Sequence, residues 1–340
     1  MGIHRHRRRV SSSRRSRVTI QEIQEEIKME NIVVQTEELT KAYGDFTAVN
    51  KLNMEVEQGE IFGFLGPNGA GKTTTVLMLM GLSVPTAGTA KVGGYDIIDQ
   101  SRQVRSVASI LPEYSSLYGD LTAFQNLDYI GQLNDMPKEE RENRIHEVLE
   151  TVGMFDWLDS KYESFSRGMK QRIGIAATMM KNPKVVFLDE PTLGLDPVGT
   201  REIRELILRL KREQGLTIVM TSHILSEVQL TCDRIGIINR GKLVLKETME
   251  NLNHVMVGKE DRRVDFKLTE TPQGLVRDIE AIEGVKDVKQ DNGHLYVYAP
   301  EEADVKVSRA IVDHGSTILL MKPREYTLEE IFMKYYTKED

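Results

Sequence analysis

Cysteine is almost absent from this 340-residue chain: Cys232 is the only one, so an internal disulfide and a cysteine-based zinc site are both excluded. Tryptophan is as scarce, with Trp157 alone. Long hydrophobic runs are missing as well. A membrane span needs roughly 18 consecutive apolar residues, and the densest stretch, Val76 to Leu82, has only seven. No secretory leader pattern opens the chain, which makes the cytosol the expected compartment. No repeat at a fixed period occurs. Acids are lacking from Met1 to Arg17, which holds seven arginines: Arg5, Arg7, Arg8, Arg9, Arg14, Arg15 and Arg17. The whole chain nets −7, so the remainder carries −14 once those positive charges are set aside. A body that acidic is not expected to bind nucleic acid, whose footprint is a basic face.

What is present describes a soluble globular chain, 40% apolar and 29% charged. Its length suits about two domains and a tail. The arginine-rich start, with Ser11 to Ser13 among the basic residues, has no apolar period and reads as disordered. Thr19 and Glu22 then stand at capping-box spacing, and Ile20, Ile23 and Ile27 line one face of a short helix. From about Ile32 to Val244, strand and helix patterns alternate. Three short apolar runs, Ile61 to Leu65, Val185 to Leu188 and Thr217 to Thr221, read as buried strands of a parallel sheet covered by helices. Phe124 to Tyr162 lacks strand signals and reads as helical, with Trp157 expected in its small core.

After Val244 the rhythm changes. Strands are expected at Arg263 to Leu268, Val285 to Val288, His294 to Tyr298 and Thr317 to Met321, with helices at Gln273 to Ile282 and Val305 to Asp313. That β-α-β-β-α-β order is the split arrangement of ferredoxin-like domains, and Asp291-Asn292-Gly293 supplies its hairpin turn. A last helix is expected from Thr327 to Tyr336.

Gly66-Pro67-Asn68-Gly69-Ala70-Gly71-Lys72-Thr73 fits the phosphate-loop pattern G-x-x-x-x-G-K-[ST] between a strand and a helix. Its glycines let backbone amides converge on an anion at a helix N-terminus. Lys72 is placed to reach the outer phosphates, Thr73 offers a hydroxyl to Mg²⁺, and Thr74 can reach another phosphate oxygen. Asp189-Glu190 ends the second apolar strand, at the carboxyl edge where ligands of open α/β sheets bind. There an aspartate can hold the metal of a nucleotide and the next carboxylate can polarise an attacking water. His223, just past the third strand, is the one histidine of seven at such an edge.

Together these residues resemble the nucleotide-binding subunit of an ATP-binding cassette (ABC) transporter. The segment Phe165-Ser166-Arg167-Gly168-Met169-Lys170-Gln171-Arg172 is similar to the family signature. It differs from the common L-S-G-G-Q at the first, third and fifth positions but keeps Ser166 and Gly168. Tyr43 matches the aromatic that stacks on adenine, Leu193-Gly194-Leu195-Asp196 the D-loop, and His223 the switch histidine. In Leu111-Pro112-Glu113-Tyr114 a glutamate stands where many members carry the Q-loop glutamine. A carboxylate there can accept from metal-bound water but loses an amide donor, which alters any coupling of metal to transporter.

The resemblance implies an α/β fold: a P-loop NTPase of the ABC-ATPase kind over residues 29–248, with a helical subdomain at about 115–170 and a C-terminal α+β ferredoxin-like regulatory domain over 249–340. Residues 1–28 form the basic extension. It implies ATP and Mg²⁺ as ligands, held by Tyr43, Gly66 to Thr74, Glu113 and Asp189. Ser166, Gly168 and Asp196 act across a head-to-tail homodimer or heterodimer, and Lys72, Glu190 and His223 carry the chemistry. A subunit without a span needs a separate integral-membrane permease, which places it at the cytoplasmic face of the membrane. The domain order resembles the drug- and antibiotic-efflux group, hence export. The alternatives are a soluble, non-transport ABC ATPase acting on a nucleic-acid or protein assembly, and a nucleotide sensor. For the arginine-rich start three readings stand: a solvated extension, attraction to anionic lipid, or translation starting at Met29.

Overall fold

The computed structural model describes residues 31–113, 117–252, 262–324 and 327–337. The basic extension and short helix expected within 1–28 lie outside the described residues. Strands β1 (Ile32–Tyr43), β2 (Phe46–Leu52) and β3 (Glu55–Glu57) begin the chain's described part, followed by β4 (Ile61–Leu65) and helix α1 (Lys72–Leu79). Next come β5 (Ala87–Val92), β6 (Tyr95–Asp96), α2 (Ser101–Val107) and β7 (Ala108–Leu111). A helical segment of α3 (Ala123–Leu133), α4 (Lys138–Thr151) and α5 (Arg167–Met179) leads to β8 (Val185–Asp189) and α6 (Pro197–Gln214). Strand β9 (Thr217–Ser222), α7 (Leu225–Thr231), β10 (Arg234–Asn239) and β11 (Lys242–Thr248) complete this part.

The central sheet runs β11-β10-β4-β9-β8-β7, parallel except for the β10–β11 hairpin. Strands β4, β8 and β9 are buried along their whole length, as continuous apolar runs in a parallel sheet require. Their side chains alternate between two cores. Ile61, Leu65, Val186, Leu188, Ile218 and Met220 face the helices α3 to α7. Phe62, Phe64, Val185, Phe187 and Val219 face α1 and a second sheet. That second sheet, β2-β1-β5-β6 with β3 paired to β1, is antiparallel. Over residues 32–57 three consecutive strands stand where the alternation of strand and helix expected from about Ile32 to Val244 would begin; β8 to β10 alternate with helices as expected. Strand β1 hides its period because Glu38 sits at φ 49 and the pairing shifts between Leu39 and Lys41.

The helical segment forms as expected, with a Thr122–Gln125 capping box starting α3. Trp157 is the exception. It is 49% exposed, whereas Ile145, Val148, Leu149, Val152 and Met154 make the core there. A single 3₁₀ turn at Phe155–Trp157 carries the indole outward and leaves Met154 and Leu158 against the core.

Beyond β11 lie β12 (Arg263–Leu268), α8 (Leu275–Glu280), β13 (Asp287–Asp291), β14 (His294–Tyr298), α9 (Asp304–Asp313) and β15 (Ile318–Pro323). The order β13-β14-β12-β15, antiparallel throughout, is the split βαβ arrangement, with its own core of Val264, Phe266, Leu295, Val297 and Ile311. Strand β13 starts two residues later than expected. The two-residue turn fixes it there: Asn292 and Gly293 take φ 46 and 79, pairing Asp291 with His294. The last helix, α10 (Leu328–Thr337), leaves this sheet. Leu328 and Ile331, each 1% exposed, join the core that contains Val228 of α7 and Leu252.

Candidate functional site

Strands β4, β9 and β8 are neighbours and end level with each other: Leu65 pairs with Ser222, and Asp189 with Thr221. The loops that follow therefore converge on one edge of the sheet. After β4 the chain turns through Gly66 to Gly71 into α1. Two glycines are obligatory there. A Cβ on Gly66 would meet the Ile238 carbonyl at 2.4 Å, and one on Gly71, at φ 107, would meet the Ala48 carbonyl at 2.4 Å. The loop is thus pressed against β2 and β10, and the Ala70 N–H closes it on the Pro67 carbonyl at 3.2 Å.

Lys72 is 7% exposed. Its Nζ donates to the carbonyls of Gly66 at 2.7 Å and Pro67 at 3.3 Å, and lies 3.6 Å from Oε1 of Glu190. A buried ammonium needs such partners because desolvation is costly. Its position inside the curl of the loop aims a positive charge at whatever anion the loop holds.

Asp189 and Glu190 diverge at the end of β8. Oδ2 of Asp189 accepts from the Thr73 hydroxyl at 3.0 Å, and Oδ1 accepts from the Thr221 hydroxyl at 2.5 Å. Glu190 adopts φ 50, a left-handed conformation that costs an L-residue about 1–2 kcal/mol. Its N–H donates to Oγ1 of Thr221 at 3.1 Å. Its Oε2 lies 2.9 Å from Nδ1 of His223. The glutamate is only 9% exposed, with a cation at one oxygen and an imidazole at the other.

These groups surround a cavity of about 470 Å³, lined by Ala48, Pro67, Asn68, Gly69, Gly71, Lys72, Thr73, Thr74, Glu113, Asp189, Glu190, Leu193 and His223, with the exposed rings of Tyr43 and Phe46 at its mouth. The two mouth rings are 52% and 62% exposed. Gly66 and Ala70 form the back of the loop: Gly66 receives Lys72, and Ala70 is buried in the core beneath. Besides Gly66 and Ala70, three expected residues are not among those lining the cavity, Ser166, Gly168 and Asp196. Ser166 caps α5 by accepting from Met169 N–H at 3.3 Å and is exposed, while Gly168 has open space beside it. Asp196 is exposed and caps α6 through Gly199. Sequence reading missed Phe46, although an aromatic three residues past Tyr43 was a signal. It also missed Thr221, whose role no spacing rule reveals.

The donor set suits a magnesium nucleotide. The Thr73 hydroxyl and the Asp189 carboxylate sit side by side on the cavity wall. Among the described residues, no group of three or more His, Cys, Asp or Glu is arranged to hold a metal ion by itself. A hard cation that takes one or two protein oxygens and completes its shell from phosphates fits that scarcity. The single thiol takes no part: Cys232 is buried, and burial pushes its pKa far up.

Residues 49–193 match the ABC transporter family. The bacitracin transport ATP-binding protein BcrA of Bacillus licheniformis is 38% identical over 306 residues, spanning 89% of this chain and 96% of the relative. The linearmycin resistance ATP-binding protein LnrL of Bacillus subtilis is 34% identical, over 88% and 97%. Among solved structures, an ATP-binding subunit of an ABC transporter matches at 28% identity and TM-score 0.59, covering 66% of this chain and 93% of its own. The cbiO1 protein of Clostridium perfringens matches at 27% and 0.60, covering 74% and 95%. With a cavity of this composition and similarity along nearly the whole length of two relatives, the chain belongs to the ABC transporter family, among its ATP-binding proteins.

Proposed function

We propose that this chain hydrolyses ATP in the cavity above the β4, β8 and β9 edge and so powers export through a separate membrane permease. The carrying observation is Glu190, a buried carboxylate between Lys72 at 3.6 Å and His223 at 2.9 Å. Tyr43 and Phe46 offer faces for the adenine, and the amides of Gly66 to Thr73 receive the phosphates. Glu190 takes the proton of the attacking water, and Lys72 offsets charge developing on the γ-phosphoryl oxygens. His223 holds Oε2 so that the carboxylate keeps one direction. Thr73 and Asp189 would hold Mg²⁺, with Glu113 also on the wall; bound there, the ion neutralises phosphate charge. Ser166, Gly168 and Asp196 stand away from this cavity, which supports a head-to-tail dimer whose second copy closes over the nucleotide with its own Ser166 and Gly168.

No helix among the described residues is long and apolar enough to cross a membrane. For the permease contact we favour the groove of about 280 Å³ beginning at Leu111 and Pro112, next to Glu113, and bordered by Leu82, Leu117 and Ile130. The cargo would be chosen by the permease, and bacitracin and linearmycin in the relatives' names support an antibiotic-type compound. The ferredoxin-like unit would serve regulation or dimer stability.

Glu190→Gln tests the reading. It should still bind ATP while turnover falls by about 100-fold or more; near-normal hydrolysis refutes the role. Affinity isolation from membranes should recover a polytopic protein, and enrichment of RNA or DNA instead would refute the transporter.

A further inference from the structure

Thr221 lies where the end of β9 meets the two acids that close β8. It has no exposed surface, and it stands opposite Asp189 in the pairing of the strands. A threonine hydroxyl has one proton to give and lone pairs to accept with. Here both functions go to the catalytic edge: Oγ1 donates to Oδ1 of Asp189 at 2.5 Å and accepts from Glu190 N–H at 3.1 Å. The same N–H also reaches the Thr221 carbonyl at 3.3 Å. Since Thr73 holds Oδ2 of Asp189, the carboxylate is fixed from two sides. The left-handed turn at Glu190 is held by the hydrogen bonds of its own N–H.

Packing does not ask for this hydroxyl. The preceding β9 residues Ile218, Val219 and Met220 are apolar and buried, and valine has the shape of threonine without the oxygen. The polar atom is explained by its two partners. Thr221 is also not among the residues lining the cavity, so it has no direct reach to a nucleotide there.

We infer that Thr221 is a positioning residue for hydrolysis, whose single hydroxyl sets the direction of Asp189 and the backbone turn that aims Glu190. The inference rests on the reading of Glu190 as the group that activates water. A misplacement near 1 Å costs roughly 100-fold in rate, so removing one hydroxyl at this junction has a large lever.

Thr221→Ala and Thr221→Ser in the full-length protein separate hydroxyl from shape, since both lose the methyl group and only serine keeps the oxygen. The measurements are kcat and KM for Mg-ATP, affinity for a fluorescent ATP analogue with EDTA and with Mg²⁺, and the thermal midpoint. Serine should stay within about threefold of the parent in kcat, and alanine should lose about 10–100-fold. Affinity in EDTA should be the same in both, while the gain on adding Mg²⁺ shrinks in alanine alone. Equal losses in the two variants, an unaltered kcat in alanine, or weakened binding in EDTA would overturn the inference. If alanine does not fold, Thr221→Val, which keeps the volume, replaces it in the same comparison. Glu190→Gln run alongside tells the two failures apart. Turnover surviving in that variant refutes the role of Glu190, whereas a dead Glu190→Gln with an active Thr221→Ala refutes only the positioning role.

Discussion

Nδ1 of His223 lies 2.9 Å from Oε2 of Glu190. The contact joins the first residue past β9 to the first past β8, so two loops share one side-chain bond at the cavity wall. His223→Ala leaves the loop around the phosphates intact and frees the carboxylate to rotate. Turnover should drop by about 100-fold, with ATP affinity within twofold to threefold of the parent, as read from steady-state kinetics and equilibrium titration.

Lys72 makes the complementary case. Its ammonium is held by two carbonyls inside the phosphate loop, so Lys72→Ala removes a charged donor from the binding step itself. Charged hydrogen bonds contribute about 1.5–3 kcal/mol, so ATP affinity should fall by about 10-fold or more. Chelation of Mg²⁺ should stop turnover while leaving weaker nucleotide binding. Unchanged affinity in Lys72→Ala would refute the phosphate assignment.

Leu328 is 1% exposed and packs, from the far end of the chain, into the core beneath α7. Truncating a buried leucine to alanine costs about 2–5 kcal/mol. Leu328→Ala should therefore lower the denaturation midpoint of the nucleotide-binding part, followed by its loss of ATP binding. Val305→Ala, at a residue 70% exposed, should change stability by less than about 0.5 kcal/mol. Equal effects would show that α10 does not anchor there.

Glu60 carries a pH-dependent strain. Burial pushes its carboxyl above the ordinary glutamate value, partly offset by the Glu57 N–H at 2.7 Å and by Arg234. Because the folded pKa is the higher one, its stability contribution is complete below the unfolded value near 4.3 and is lost as pH rises through the folded value. Glu60→Gln cannot ionise. Relative to the parent, its thermal midpoint should improve between pH 4.5 and pH 7; a constant difference across that range would contradict the sign.

Much of this site is legible from residues alone because it follows local rules. The phosphate loop is contiguous, Asp189 and Glu190 end a fully apolar strand, and His223 follows another; all three converge because neighbouring parallel strands end together. What escapes is set by pairing across the chain. The long strand β1 is disguised by the positive φ of Glu38 and a shifted register, so its antiparallel sheet is invisible to a period-two reading. Thr221 looks like any β-branched strand residue until the opposite strand is known. The start of β13 depends on a two-residue turn whose register counts backward from Asn292 and Gly293. Leu328 has an ordinary amphipathic surrounding, and nothing in it names the distant core it enters.

The outward-facing Trp157 gives the protein an optical property. It is the only indole in the chain, half in solvent, and it sits between α4 and α5, the helix that Ser166 caps. Intrinsic tryptophan emission is therefore a signal from one address. A change in its intensity or in its quenching by iodide when ATP is added belongs to the surroundings of that segment, without any label attached.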